Sequence, residues 1–150
     1  MAKIPPKRLA VLEDHLEAES SHDMDRVLDG FTDDCFNDIA GFPERFVGPE
    51  KVAERYRLLW QAFPDFNVQI HRFLSADEDC IVTENQWTGT HRGPFFGIPP
   101  TGRRVRIRSL VAWHFRGDKI WGETVFFDVG SIVNQLGAEI IIPPEHSPRE

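Results

Sequence analysis

Apolar residues recur along the first fifth of the chain at helical steps. Leu9, Leu12 and Leu16 follow each other at three- and four-residue intervals, the spacing of one helix face, and predict a helix from Leu9 to Ala18. His22-Asp23 opens a short second helix containing Met24, Val27 and Leu28, which Gly30 is suited to close. Gly48-Pro49-Glu50 starts a third, because proline is preorganised for the first helical position and an acid there suits the macrodipole. Val52, Tyr56, Leu59, Trp60 and Phe63 form its buried stripe, and Pro64 ends it.

Beyond Pro64 the period changes from helical to alternating. Phe66, Val68 and Ile70 face one way against Asn67, Gln69 and His71, which predicts a strand. Asp77-Glu78-Asp79 turns the chain into a second strand with Ile81, Thr83, Asn85 and Trp87 on the inward face and Glu84, Gln86 and Thr88 outward. Val105, Ile107, Ser109, Val111, Trp113 and Phe115 then alternate with an outward arginine ladder at Arg104, Arg106 and Arg108. Gly117-Asp118 leads into a last strand from Lys119 to about Phe127. Asp128 is placed to cap a terminal helix over Ser131 to Leu136.

Helices first and a long meander second specify an α+β fold: three N-terminal helices packed on a strongly curved mixed or antiparallel sheet that can close around a cavity. With 150 residues, 41% hydrophobic, one domain spanning 1–150 is expected, its core at about 8–137 and a loosely held Pro-containing tail at 138–150. A doubly wound fold would alternate strands and helices, and no glycine-rich phosphate loop follows a strand, so no nucleotide cofactor is implied. The net charge of -7 argues against nucleic acid as a partner. No apolar run reaches membrane-spanning length and Met1 to Arg8 lacks the apolar stretch of a signal peptide, so no membrane partner and a cytoplasmic location are expected. Cys35 and Cys80 have no metal-type spacing and read as reduced thiols, with no metal site implied.

The run Gly89-Thr90-His91-Arg92-Gly93-Pro94-Phe95-Phe96-Gly97-Ile98-Pro99-Pro100-Thr101-Gly102-Arg103, with Gly117-Asp118-Lys119-Ile120, Asp128 and Gln135-Leu136-Gly137, resembles the SnoaL-like polyketide cyclases and ester cyclases of the nuclear transport factor 2-like superfamily. His22-Asp23-Met24-Asp25 and Phe31-Thr32-Asp33-Asp34 extend the similarity, which covers about residues 8 to 137. The resemblance implies a cone-shaped α+β barrel, usually dimeric, whose hydrophobic pocket hosts cofactor-free acid-base chemistry. It also exposes departures. The cyclases' acid-base aspartate falls at Val125, and their pocket-facing histidine at Val111, where the related ketosteroid isomerases would keep an oxyanion-stabilising aspartate. The isomerase base falls at Ile39 or, after a slip of one residue, at Asp38, and the isomerases' first-helix tyrosine corresponds to His15.

Of the polar residues that remain, Glu123 shares the inward parity of Val125 and Phe127, where burial would raise its pKa toward that of a useful base. Glu123 is therefore the candidate base, and His15 or Asp38 the candidate proton donor. Tyr56, Trp60, Trp87 and Trp113 offer flat apolar surface to a ring-shaped ligand. Asn85 and Ser109 sit at inward positions where they can orient a carbonyl, and Val111, Val125 and Phe127 complete the expected ligand-contacting set. His91 reads as structural. The leading expectation is a cofactor-free enzyme acting by proton abstraction on a hydrophobic cyclic carbonyl compound, through cyclisation, isomerisation or dehydration. The alternative is a non-catalytic binder of a hydrophobic ligand or a protein partner, and in either case the outer sheet face suits a homodimer.

Overall fold

A computed structural model of the chain describes residues 3–141; the tail expected to be loosely held lies, from residue 142 onward, outside the described residues. Helix α1, Pro6–Ser21, buries Leu12, His15, Leu16 and Glu19, four residues on one stripe of the helix. It ends at His22, whose left-handed backbone (φ 58) lets its N–H reach back to the last turn. Asp23 caps α2, Met24–Asp29, by accepting a hydrogen bond from the Arg26 N–H. Gly30 follows α2 with a right-handed backbone (φ -73) rather than a left-handed cap, because the chain passes directly into a strand. α3, Pro49–Ala62, begins at the expected proline.

Two strands lie between α2 and α3 where no alternation marked them. β1, Phe31–Ile39, and β2, Phe46–Val47, precede α3, and β3, Asn67–Ala76, β4, Cys80–Thr90, β5, Arg104–Arg116, and β6, Lys119–Phe127, follow it. The spatial order is β2-β1-β6-β5-β4-β3. Every pairing is antiparallel except β1 with β6, so the sheet is mixed rather than a pure meander. Register shifts in β1 and β3 bend the sheet, while α1 packs against β3 and α3 against β1 and β2 to close the cone. A last helix, α4, Val129–Gln135, is capped by Asp128, whose side chain accepts from Gly130 N–H; it starts two residues earlier than its apolar spacing suggests.

Register places the inward side chains in rows. Ile81, Trp113, Glu123 and Asn37 form one row, Thr83, Val111, Val125 and Ile39 the next, and Asn85, Ser109 and Phe127 a third. The first two rows are fully buried. Trp60 is only half-buried and stacks on His22 at 4.7 Å between ring centroids, at the edge of the helical layer.

The segment from His91 to Arg103 forms a closed loop. Its ends are tied by hydrogen bonds from His91 N–H to the Arg103 carbonyl and from Gly102 N–H to the His91 carbonyl. The buried His91 ring holds Thr101 through Nδ1, 3.0 Å from the threonine hydroxyl. Arg92 and Gly93 donate to the Ala62 carbonyl at the end of α3. A Cβ on Gly93 would collide with the Gln61 carbonyl, so this contact requires glycine. Both cysteines are free thiols; burial pushes Cys35 up to about 11, which keeps it protonated and unreactive.

Candidate active site

A cavity of about 270 Å³ opens inside the cone, near the lower end of the roughly 300–1,000 Å³ common for small-molecule sites. Its walls are apolar, with Val111 and Val125 at their middle, and the exposed side chains Phe42, Leu58 and Phe96 ring its mouth. Glu123, Glu19, Arg55, Asn85 and Ser109 are the polar side chains that line it.

Glu123 reaches this wall from β6, and a hydrogen-bonded cluster holds it from behind. Its Oε2 accepts from Asn37 Nδ2 at 2.9 Å and from the Tyr56 hydroxyl at 2.9 Å. Both bonds fall on one oxygen, so Oε1 has no partner among the described residues and is free for the cavity. Tyr56 also contacts Glu19 Oε1 at 3.1 Å and His15 Nε2 at 3.2 Å, and His15 Nε2 lies 2.8 Å from Glu19 Oε1. One phenolic proton can go to only one carboxylate at a time, so these four side chains form a shared-proton network.

The charges explain one another. Burial raises the Glu123 pKa above its ordinary 4.5, and Glu19 pushes the same way, while Arg55, His15 and the Tyr56 hydrogen bond restrain the rise. Burial disfavours the His15 imidazolium, but Glu19 and Glu123 outweigh it and lift the ring above 6.5. Burial and then the two carboxylates hold the Tyr56 phenol well above 10, keeping it protonated. Arg55 remains a cation, its guanidinium 4.7 Å above the Tyr56 ring.

Among the described residues, His15, Glu19 and Glu123 are the one trio with ligating atoms close enough to share a metal ion, all within 4.8 Å. Tyr56's hydroxyl touches all three, at 2.9 to 3.2 Å, and so stands where a bridging cation would sit. The trio is held as a hydrogen-bond cluster around the Tyr56 hydroxyl.

Of the residues expected to touch a ligand, Asn85, Trp87, Ser109, Val111, Trp113, Val125 and Phe127 line the cavity. Tyr56 and Trp60 do not: Tyr56 lies behind Glu123, and Trp60 is turned toward His22. His15 joins the cluster but is shielded from the cavity by Tyr56 and Glu19. Asp38 is not brought to the site. It pairs with Arg45 on the opposite face of β1 at 3.0 Å, and Ile39 takes the lining position.

Three site residues escaped the sequence reading. Glu19 lies four places after His15, on the stripe of Leu12 and Leu16, and Arg55 lies three after Val52 and four before Leu59. That spacing carried the signal for both. Asn37 carried none, since β1 itself was not anticipated.

No curated protein matches the sequence at a significant level. Solved structures share the architecture. A protein from Jannaschia sp. CCS1 assigned as a SnoaL-like polyketide cyclase aligns over 93% of this chain and 100% of its own, with a TM-score of 0.82 and 17% identity. IdmH from Streptomyces antibioticus, assigned as a polyketide cyclase, aligns over 87% and 99% with a TM-score of 0.72 and 23% identity. An LEH-like epoxide hydrolase from M. tuberculosis aligns over 87% and 89% with a TM-score of 0.69 and 25% identity. The sequence profile of the SnoaL-like polyketide cyclases matches residues 10–136, a span that holds the Glu123 cluster and every strand of the cone. The chain therefore belongs to the SnoaL-like polyketide cyclase family.

Proposed function

We propose that the protein is a cofactor-free enzyme that abstracts a proton from carbon next to a carbonyl, with Glu123 as the general base. Family membership supports a catalytic role in general terms. The observation that carries the specific reading is the free Oε1 of a buried, pKa-raised carboxylate on the wall of an apolar cavity. The substrate C–H bond breaks, the proton goes to Glu123 Oε1, and the electron pair moves onto the carbonyl oxygen as an enolate. Reprotonation at another carbon, attack on a second carbonyl or loss of a hydroxyl completes an isomerisation, cyclisation or dehydration. Asn37 and Tyr56 fix the carboxylate's orientation, and Tyr56 can redirect its proton to Glu19 as Glu123 becomes protonated. His15 and Glu19 act through Tyr56 as positioning residues. Asp38, paired with Arg45, has no part in this reading.

The valines at 111 and 125 favour a second reading, a hydrophobic-ligand binder without turnover, because they remove the polar groups that the family's cyclases and the related isomerases keep there. Glu123→Gln separates the two. With a substrate identified by mass spectrometry of copurified ligand, this variant should keep ligand affinity and lose roughly 10² to 10⁴ in turnover. Unchanged turnover removes Glu123 from the role, and no turnover in the unaltered protein leaves the binder.

A further inference from the structure

The loop from His91 to Arg103 is pinned at its base and free at its tip. His91, Arg92, Gly93, Gly102 and Arg103 carry the hydrogen bonds that close the loop and tie it to the end of α3. The stretch between, Pro94-Phe95-Phe96-Gly97-Ile98-Pro99-Pro100, has no polar side chain, and its prolines have no N–H. Among the described residues its backbone bonds only to itself: Phe95 and Ile98 exchange both N–H···O bonds, at 3.1 and 2.9 Å. Phe96 and Gly97, which lie between them, have φ of 49 and 72, the left-handed pair of a type I′ turn. Glycine takes that conformation freely, and asparagine or aspartate suits the first position. A phenylalanine there is strained.

That strained residue sets its ring in the mouth of the cavity. The Phe96 side chain lines the cavity and is 40% exposed, so it meets the interior space on one side and water on the other. Phe42 does the same at 42%, and the two rings lie 5.5 Å apart. They come from separate segments, and the one that carries Phe42 is anchored: the Ala40 N–H donates to the Val125 carbonyl of β6 and the Phe42 N–H to the Ile39 carbonyl. We propose that Phe42 and Phe96 form a gate across the cavity mouth, with Phe42 fixed and the Phe95–Ile98 turn swinging as a unit on its proline arms to admit a ligand. This rests on the proposed function only in taking the cavity as the ligand site, and it holds whether or not Glu123 is the base. Phe95 is the pivot, its ring packed edge-on against Phe63 at 5.0 Å beside the end of α3. No hydrogen bond to the rest of the protein breaks when the turn swings, so ring contacts of Phe96 with Phe42 and with Phe127, at 6.1 Å, hold it shut. An asparagine at 96 would relieve the turn and leave the mouth open, which is why the strained ring reads as functional.

4-Nitrotoluene, a neutral ring that quenches indole fluorescence, reports entry through Trp87 and Trp113, which line the cavity. On stopped-flow mixing with the full chain, the quenching rate should level off as the 4-nitrotoluene concentration rises, because opening becomes limiting. Phe96→Ala and Phe42→Ala should each speed entry on the order of tenfold, and the double variant should be no faster than the faster single, since the loss of either ring opens the mouth. Phe96→Asn should speed entry as much while leaving the melting temperature unchanged or higher, a result that a ring kept only for packing would not give. Relaxation-dispersion NMR should find microsecond-to-millisecond exchange at the amides of Phe95 to Ile98 and none at those of His91 and Arg103. Entry at the diffusion limit in the unaltered protein, entry unchanged in folded Phe96→Ala and Phe42→Ala, or no quenching of the cavity tryptophans in any variant overturns the gate. Phe96→Asn melting several degrees lower with entry unchanged also overturns it. A gate that behaves as expected in a protein whose turnover ignores Glu123 would instead overturn the proposed base and leave this inference standing.

Discussion

Tyr56 supplies one proton to a cluster that contains two carboxylates and an imidazole, so removing its hydroxyl affects all of them. Its hydrogen bond holds the Glu123 pKa down against burial. Tyr56→Phe should therefore move the acid limb of the rate-pH profile upward, and denaturant unfolding should register a loss of about 1–3 kcal/mol from the stranded polar groups. An unmoved acid limb would mean that Tyr56 does not tune the base. The same cluster sets the pH dependence of stability. His15 is raised above 6.5 and Glu123 above 4.5, so each stabilises fully below its unfolded value and loses that contribution as pH rises through its folded one. Asp34, held down by Arg116, Asp77, held down by the N–H groups of Asp79 and Cys80, and Glu84, held down by Arg72 and Arg108, act oppositely, losing their contribution as pH falls. Thermal melts should peak between the ordinary carboxylate values of 3.8 to 4.5 and pH 6.5. His15→Gln should flatten the decline above that range; a decline as steep as before would place its origin elsewhere.

At the scale of elements, the parallel contact between β1 and β6 is where side-chain fit matters most. Phe36 of β1 lies opposite Gly122 of β6, and a Cβ on that glycine would enter the Phe36 ring. Gly122→Ala must displace the Phe36 ring or spread the strands next to Glu123, at a cost of about 1–3 kcal/mol and a melting temperature several degrees lower. A melt unchanged by this substitution would show that β1 can yield. This contact also marks the boundary of what the sequence made legible. Along β4, β5 and β6 alternation is long, and it correctly placed Ile81, Trp87, Val111, Trp113 and Val125 on the inward face. In β1 the chain reads Phe31-Thr32-Asp33-Asp34-Cys35-Phe36-Asn37, where a register shift breaks the period and a buried asparagine replaces an apolar residue. Pattern alone could not find that strand, so it could not decide between Ile39 and Asp38 or reveal Asn37. Glu19 and Arg55 were obscured differently: their spacing was inward, but charge made them read as solvated.

On the whole molecule, the side of the sheet away from the cavity carries a surface unlike the rest. Arg72, Glu84, Leu110 and Phe126 follow one another across β3, β4, β5 and β6 in a single outward row, and Leu74 lies nearby. Leu110 is 43% and Phe126 53% exposed, while Arg72 and Arg108 both pair with Glu84. Exposed apolar side chains, beside two arginines whose charge Glu84 partly neutralises, make a patch that a second copy can cover. We propose a homodimer on this face, in which a two-fold axis sets each Leu110 and Phe126 against its partner's sheet. The cavity opens on the other side of the sheet, so dimerisation and ligand entry do not compete. Light scattering should give twice the 17.2 kDa of the chain, and Phe126→Asp should return it to that mass by placing a desolvated charge at the centre of the patch, with the far-ultraviolet spectrum unchanged. A dimer that survives both Phe126→Asp and Leu110→Asp would have to be built on another surface, and a monomer at every concentration would leave this row of the sheet facing water.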